Sequence, residues 1–263
     1  MLNLAISGAA GRMGSRLIDL GSQDQEFKIT GAVESASHPQ LGTDAGLASG
    51  IQEMGVKFSS EYPTDVDVVI DFSHPAGAEA AIDYCIAQNK PLVMATTGLE
   101  NETVEKLKSA QAIPIVWAPS MSLAVNLTMK LVETAGLALK DHSTGVDVEI
   151  LERHHRFKAD APSGTALKFG EIVAGAMGIT NHQHGREGMT GERQRNEIGY
   201  HAIRTGDNPG QHTIVFGMLG ETIELHVGAS NRDCYAAGAL AAAKFAAKQA
   251  PGLYNMYDVL GLN

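Results

Sequence analysis

Apolar residues run in two rhythms along this chain. In the first half, short unbroken apolar runs occur at LNLAIS from Leu2 to Ser7, KITGAVE ending at Glu34, VDVVIDFS from Val66, KPLVMATTG and IPIVWAPS. Between them lie stretches that suit helices, among them Ala76 to Gln88 and Glu102 to Ala110. Apolar runs of strand length predict strands buried on both faces, and their alternation with helices predicts a doubly wound parallel sheet. From Ser122 the rhythm changes. A long helix to about Lys140 leads into VDVEIL from Val146, which alternates as a half-buried strand does, and a further helix spans Ala166 to Met177. Three alternating runs follow, NEIGYHAIR, HTIVFGML and TIELHVGA, and these predict an antiparallel or mixed sheet. The segment from about Arg232 returns to helix and ends YDVLGLN. The fold class is therefore α/β with a second, α+β domain, the first domain spanning 1–122 and completed by 232–263, the second spanning 123–231.

The first strand runs straight into GAAGRMG, with Gly8, Gly11 and Gly14 in the spacing of a dinucleotide turn. Gly8 permits the tight strand-to-helix turn, Gly11 lets the backbone approach a pyrophosphate, and Gly14 allows close packing of helix on sheet. Ala9 and Ala10 fill the turn, and Arg12 and Met13 open the helix beside the phosphates. Glu34 ends the next strand about 20 residues past the last glycine, where a carboxylate accepts hydrogen bonds from the adenosine ribose. Strand, glycines, helix, strand and acid in this order predict a Rossmann domain holding a nicotinamide cofactor, NADH or NADPH. Ser35 stands where an arginine would serve a 2′-phosphate, so the reading leans toward NADH. Ligands of such sheets lie at the carboxyl ends of the strands, which places Phe72, Ser73, Ala95, Thr96, Thr97, Ala118, Pro119, Ser120 and Met121 along the cofactor crevice.

A net charge of -10 and a pI near 5.4 argue against nucleic acid or an anionic membrane as partner. The first residues are already a core strand, so no signal peptide is expected, and the Ala-rich run from Ala236 to Ala250 is too short and too charged to span a bilayer. The expectation is a soluble cytoplasmic enzyme. Cys85 and Cys234 have no C-x-x-C spacing and read as reduced thiols. No required metal is expected: His182 and His184 lie two apart, but NHQHG reads as an exposed loop, with no nearby Cys and no zinc-helix spacing.

The densest chemistry sits in EILERHHRFKADAPSGTA from Glu149 to Ala166. It reads as a pocket for a small, doubly anionic molecule that must receive a proton. His154 and His155 would point to opposite faces if the strand continued through them, so at most one acts directly on substrate unless the chain has already turned. An imidazole donates a proton near neutral pH, and Lys158 is a flexible cation for a carboxylate or a developing negative charge. Ser163, Gly164 and Thr165 would leave free N–H groups at a helix start, where an anion is favoured.

These motifs resemble the dihydrodipicolinate reductase family, the 4-hydroxy-tetrahydrodipicolinate reductases of the lysine and diaminopimelate pathway. The resemblance is carried by GAAGRMG at Gly8, DFSHP at Asp71, ATTG at Ala95, the eighteen-residue segment from Glu149, GREGMTGER at Gly185 and the YNMYDVLGL tail, and it extends over nearly the whole chain. It implies an N-terminal Rossmann domain and a C-terminal domain whose open sheet builds a homotetramer, with a hinge that closes over substrate. It implies reduction of a cyclic imine dicarboxylate by NADH or NADPH with loss of water, and inhibition by planar 2,6-pyridinedicarboxylate. On that pattern His154 is the proton donor, Lys158 its partner, His155 a substrate ligand, and Gly164 with Thr165 the carboxylate clamp. Cofactor contacts carry over to Gly8 through Met13, Glu34, Ala95 through Thr97 and Ala118 through Met121. The chain reads APSM where many relatives carry an asparagine, which leaves the carboxamide contact through Ser120 open.

Two other functions are compatible with parts of this pattern. A different dehydrogenase, acting on an amino acid or polyol, would oxidise an alcohol and need no unsaturated imine. A nucleotide sensor would keep the Rossmann half but has no use for His154 and Lys158 together.

Overall fold

A computed structural model describes residues 1–110 and 112–262. Asn263, which closes the YDVLGLN tail, lies outside the described residues. The chain divides into two compact units, Met1–Leu123 with Arg232–Asn263, and Ala124–Asn231.

In the first unit the order is β1 (Leu2–Ser7), α1 (Arg12–Gln23), β2 (Phe27–Val33), α2 (Ala45–Ala48), β3 (Phe58–Ser59), β4 (Val68–Asp71), α3 (Pro75–Gln88), β5 (Leu92–Met94), α4 (Asn101–Ser109) and β6 (Pro114–Trp117). Helix α5 (Leu123–Leu139) leads into the second unit, which holds β7 (Asp147–His154), α6 (Gly164–Met177), β8 (Asn181–His184), β9 (Glu197–Arg204), β10 (Gln211–Met218) and β11 (Glu221–Gly228). The chain then returns to the first unit with α7 (Asp233–Ala246), β12 (Gly252–Tyr254) and α8 (Met256–Leu260).

The first sheet has the strand order β12-β6-β5-β4-β1-β2-β3, with every pairing parallel. Its central strands are buried on both faces, as their unbroken apolar runs require. On one face Leu17 and Ile18 of α1 join Ala239, Leu240 and Ala243 of α7, and on the other Ala78, Ile82 and Cys85 of α3 meet Leu107 of α4. The glycine spacing has a steric cause. A Cβ on Gly14 would stand 2.3 Å from the Gly8 carbonyl oxygen, and one on Gly8, at φ +73°, would stand 2.6 Å from the Phe72 carbonyl oxygen. Strand order reverses between β1 and β4, and the loops after those two strands open the crevice that such a switch point provides.

The second sheet is mixed, in the order β11-β10-β7-β9-β8. Strand β7 pairs parallel with β9 and antiparallel with β10. Alternation sorts its residues: Val148, Ile150, Glu152 and His154 are buried on the face carrying α6, while Leu151 and Arg153 are exposed on the other. Ile203, opposite Arg153 on β9, is 42 % exposed on that second face. The NHQHG segment is a correction to the sequence reading. His182 and His184 belong to β8, an edge strand parallel to β9, and both rings stack on Tyr200. A polar edge strand carries no apolar alternation, so its sequence has the composition of a loop.

Candidate active site

In the first unit the glycine turn and the loops after β2 and β4 line a cavity of about 520 Å³. Gly11, which precedes helix α1, has no side chain to cap it, and the first-turn N–H groups of Arg12, Met13 and Gly14 have no acceptor among the described residues. Three free donors at the positive end of a helix form an anion cradle. Glu34 reaches this turn directly. Its Oε1 accepts from the Ala10 N–H at 2.8 Å, which sets a carboxylate between the glycine loop and the exposed Ser35. Ala9 and Met121 are wholly buried core residues and Ala118 nearly so, and none of the three lines this cavity.

Asp71 organises the far side of the crevice. Its Oδ2 accepts from the Thr96 hydroxyl at 2.5 Å and its Oδ1 from the Ser73 hydroxyl at 2.7 Å, while Thr96 Oγ1 accepts from the Ser73 N–H at 2.9 Å. Burial pushes the Asp71 carboxyl up, against the hydrogen bonds from Ser7, Thr96 and Ser73 that pull it down. The Thr96 side chain is thus spent on the scaffold, and the exposed Thr97 is the free hydroxyl of the pair. A dinucleotide fits this unit by its donor cradle, its carboxylate at the ribose position and the size of its cavity.

The second unit holds the histidine segment. His154 is the last residue of β7 and is 8 % exposed; His155 lies past the strand end, so the strand alternation does not extend to it. His154 Nδ1 is 2.6 Å from Glu152 Oε2. Arg204, at the end of β9, donates through Nη1 to Oε2 and through Nη2 to Oε1 of the same carboxylate, each at 2.7 Å. Oε1 also accepts from the Ser163 N–H at 3.1 Å, which corrects the expectation that this N–H is free. The free donors at the start of α6 are those of Gly164 and Thr165, which have no acceptor among the described residues. Ser163 caps the helix, its Oγ accepting from the Ala166 N–H at 3.2 Å and lying 3.0 Å from His212 Nε2.

The electrostatics separate the groups. Burial would push Glu152 up, but the hydrogen bonds from Arg204 and His154 outweigh it and hold the carboxyl below its ordinary range. Burial, with His154 nearby, lowers His212 to about 4, so that its ring is neutral at working pH. Lys158 Nζ pairs with Asp160 Oδ1 at 2.8 Å, and His155 Nδ1 is buried with no hydrogen-bond partner among the described residues. Unpartnered buried polar atoms are rare in native structures, so this ring nitrogen is a candidate ligand contact. Among the described residues no group of three or more His, Cys, Asp or Glu could hold a metal ion, and no helix is long and apolar enough to cross a membrane.

Comparison with known proteins shows the family. Residues 2–121 match the N-terminus of dihydrodipicolinate reductase and residues 124–260 its C-terminus. The chain belongs to the dihydrodipicolinate reductase family. A 4-hydroxy-tetrahydrodipicolinate reductase of Rhodopirellula baltica is 58 % identical, the match covering 100 % of this chain and 97 % of the relative. One from Syntrophotalea carbinolica is 44 % identical over the full length of both. Among solved structures, a dipicolinate-bound dihydrodipicolinate reductase from Paenisporosarcina sp. TG-14 superimposes with a TM-score of 0.77 at 22 % identity, over 98 % of each chain. The family is one of oxidoreductases of lysine biosynthesis with an NAD(P)-binding N-terminal domain.

Sequence reasoning passed over three residues that the structure brings forward: Glu152, Arg204 and His212. A signal existed for the first. Glu152 falls two residues after Ile150 and two before His154, on the apolar face of β7, and a carboxylate in that register has to be paired.

Proposed function

We infer that this chain is a 4-hydroxy-tetrahydrodipicolinate reductase, and we propose the residues that carry the reaction. The substrate is a cyclic imine dicarboxylate. A bound nicotinamide dinucleotide supplies the hydride, and the chain supplies everything else. Gly8 through Met13 and Glu34 hold the dinucleotide's phosphates and ribose, and Ala95 through Thr97 with Ala118 through Met121 line its nicotinamide side. NADH is the better fit, because Ser35 offers no cation to a 2′-phosphate.

His154 is the proton donor. The observation that carries this reading is the bond from its Nδ1 to Glu152, which leaves Nε2 as the ring atom free to exchange a proton. The same carboxylate binds the Ser163 N–H at the start of α6, so the acid and the helix start are set by one group. Gly164 and Thr165 offer their free N–H groups to one substrate carboxylate, with the helix dipole behind them. His155 offers its unpaired Nδ1 to the substrate. Lys158 exchanges Asp160 for the bound dianion, and its charge stabilises negative charge that develops on the ring. A homotetramer built on the open face of the second sheet accounts for Leu151 and Ile203 lying exposed there; a monomer in sedimentation velocity at assay concentration would remove that part.

The test is oxidation of reduced nicotinamide with substrate generated in situ by the preceding synthase, for wild type and His154→Gln. The expected loss in kcat is about 10²–10⁴-fold, with cofactor binding unchanged. Full activity in the variant would exclude His154 as the acid. No turnover by wild type despite tight NADH binding would exclude the substrate.

A further inference from the structure

Glu152 is a fully engaged carboxylate of the second unit, and no step above consumes it. It is 2 % exposed and receives four hydrogen bonds from three directions: His154 and Arg204 Nη1 on Oε2, Ser163 and Arg204 Nη2 on Oε1. Arg204 is itself braced by a bond from Nη2 to the Asp160 carbonyl oxygen at 2.5 Å. An ionised carboxylate only accepts. Facing it, His154 Nδ1 must therefore carry hydrogen whether the ring is charged or neutral. The remaining nitrogen, Nε2, lies against Gly210, where a Cβ would stand 2.8 Å away.

A structural ion pair alone would not need this arrangement. Arg204 would be satisfied by any carboxylate, but each oxygen of Glu152 also serves a second donor that belongs to the site. An amide of the same shape fails here: whichever way it turned, its NH₂ would meet donors, either Arg204 Nη1 and His154 Nδ1–H or Arg204 Nη2 and the Ser163 N–H. The least costly escape is for His154 to move its proton to Nε2 and accept from the amide at Nδ1.

We propose that Glu152, clamped by Arg204, is a positioning residue that locks His154 in the Nδ1–H tautomer and fixes the start of α6 relative to it. The inference rests on His154 being the proton donor. Each turnover then leaves the ring neutral with its hydrogen on Nδ1, and Nε2 is reprotonated from solvent. In other histidine acid–base sites, loss of the carboxylate that holds the tautomer costs orders of magnitude in rate.

The first measurement is ¹⁵N–¹H NMR of the histidine rings in the full-length protein, with His154 assigned by difference against His154→Gln. The expected result is a neutral Nδ1–H tautomer; a neutral Nε2–H tautomer in wild type would overturn the proposal without any variant needing to fold. The second is kinetics of Glu152→Gln, expected to lose about 10²-fold or more in kcat, with the NADH Kd unchanged and the tautomer reversed, and of Glu152→Asp, expected to keep the tautomer and recover part of the rate. Wild-type kcat in a folded Glu152→Gln would sink the positioning role. Should Glu152→Gln not fold, Arg204→Lys keeps the charge and loses the fork, and unchanged kcat there would count equally against the clamp. Activity surviving in His154→Gln is a separate failure, that of the acid assignment itself.

Discussion

Gly210 lies against Nε2 of His154, so closely that an added methyl group would stand 2.8 Å from that nitrogen. Gly210 is at φ +143°, its N–H is held by Asn208 Oδ1 at 2.9 Å, and its carbonyl accepts from the Ala229 N–H. The turn cannot easily retreat. Gly210→Ala should therefore cover Nε2, the nitrogen proposed to exchange a proton, and add backbone strain of about 1–2 kcal/mol. A loss of at least about tenfold in kcat, with the NADH Kd unchanged, is expected from steady-state kinetics and fluorescence titration. Unaltered turnover in this variant would mean that Nε2 is not the working atom.

Acid should loosen the second unit in two stages. His212 drops from its ordinary 6.5 to about 4 on folding, chiefly through burial. Glu149 drops from 4.5 to about 2, because Arg186, Arg193 and His201 bind it strongly enough to overcome burial. In both cases the unfolded chain binds more protons across the interval, so stability falls as pH decreases, from 6.5 toward 4 for the histidine and from 4.5 toward 2 for the glutamate. The Glu149 contribution at neutral pH is on the order of 2 kcal/mol after allowance for solvent screening. Thermal melts against pH should show both declines, and Glu149→Gln should flatten the lower one. A melting temperature constant from neutrality to strong acid would contradict the assignment.

Ser35 is exposed on the rim of the first unit's cavity, next to the carboxylate that reaches the glycine turn. Replacing it by arginine supplies a forked cation where a 2′-phosphate would lie. A charge-assisted contact of about 1.5–3 kcal/mol should raise the NADPH-to-NADH ratio of kcat/KM at least about tenfold. The ratio of dissociation constants should move with it. No change in either would place the 2′ position elsewhere.

Most of the first unit was legible because its physics is local. Buried parallel strands need unbroken apolar runs, and the phosphate turn needs glycine where Gly8 and Gly14 meet backbone oxygens. The mixed sheet was legible as alternation in β7, β9, β10 and β11, but β8 was not, since an edge strand of Asn, His, Gln and His buries nothing that a pattern can register. At the site, the histidines, the lysine and the Ser-Gly-Thr start announce themselves by clustering in the sequence. Their supports do not. Arg204 lies 52 residues from Glu152 and Ser163 lies 49 from His212, and only the strand pairings bring them together. Asp71 was read only as part of a motif, because its work, tying Ser73 to Thr96, depends on two loops meeting.

The first unit borrows its last pieces from the far end of the chain. Ala236, Ala239, Leu240, Ala243 and Met256 sit in the same core as Leu4, Ile6 and Leu17, and β12 extends the sheet beyond β6. A ribosome making this protein releases the glycine turn early but the helix that backs it more than two hundred residues later. The nascent N-terminal half must wait with one face of its sheet covered only in part, by α1, while the second unit, contiguous in sequence, has all its strands in hand first. Domain order in the gene is thus the reverse of the order in which the two cores can be sealed during synthesis.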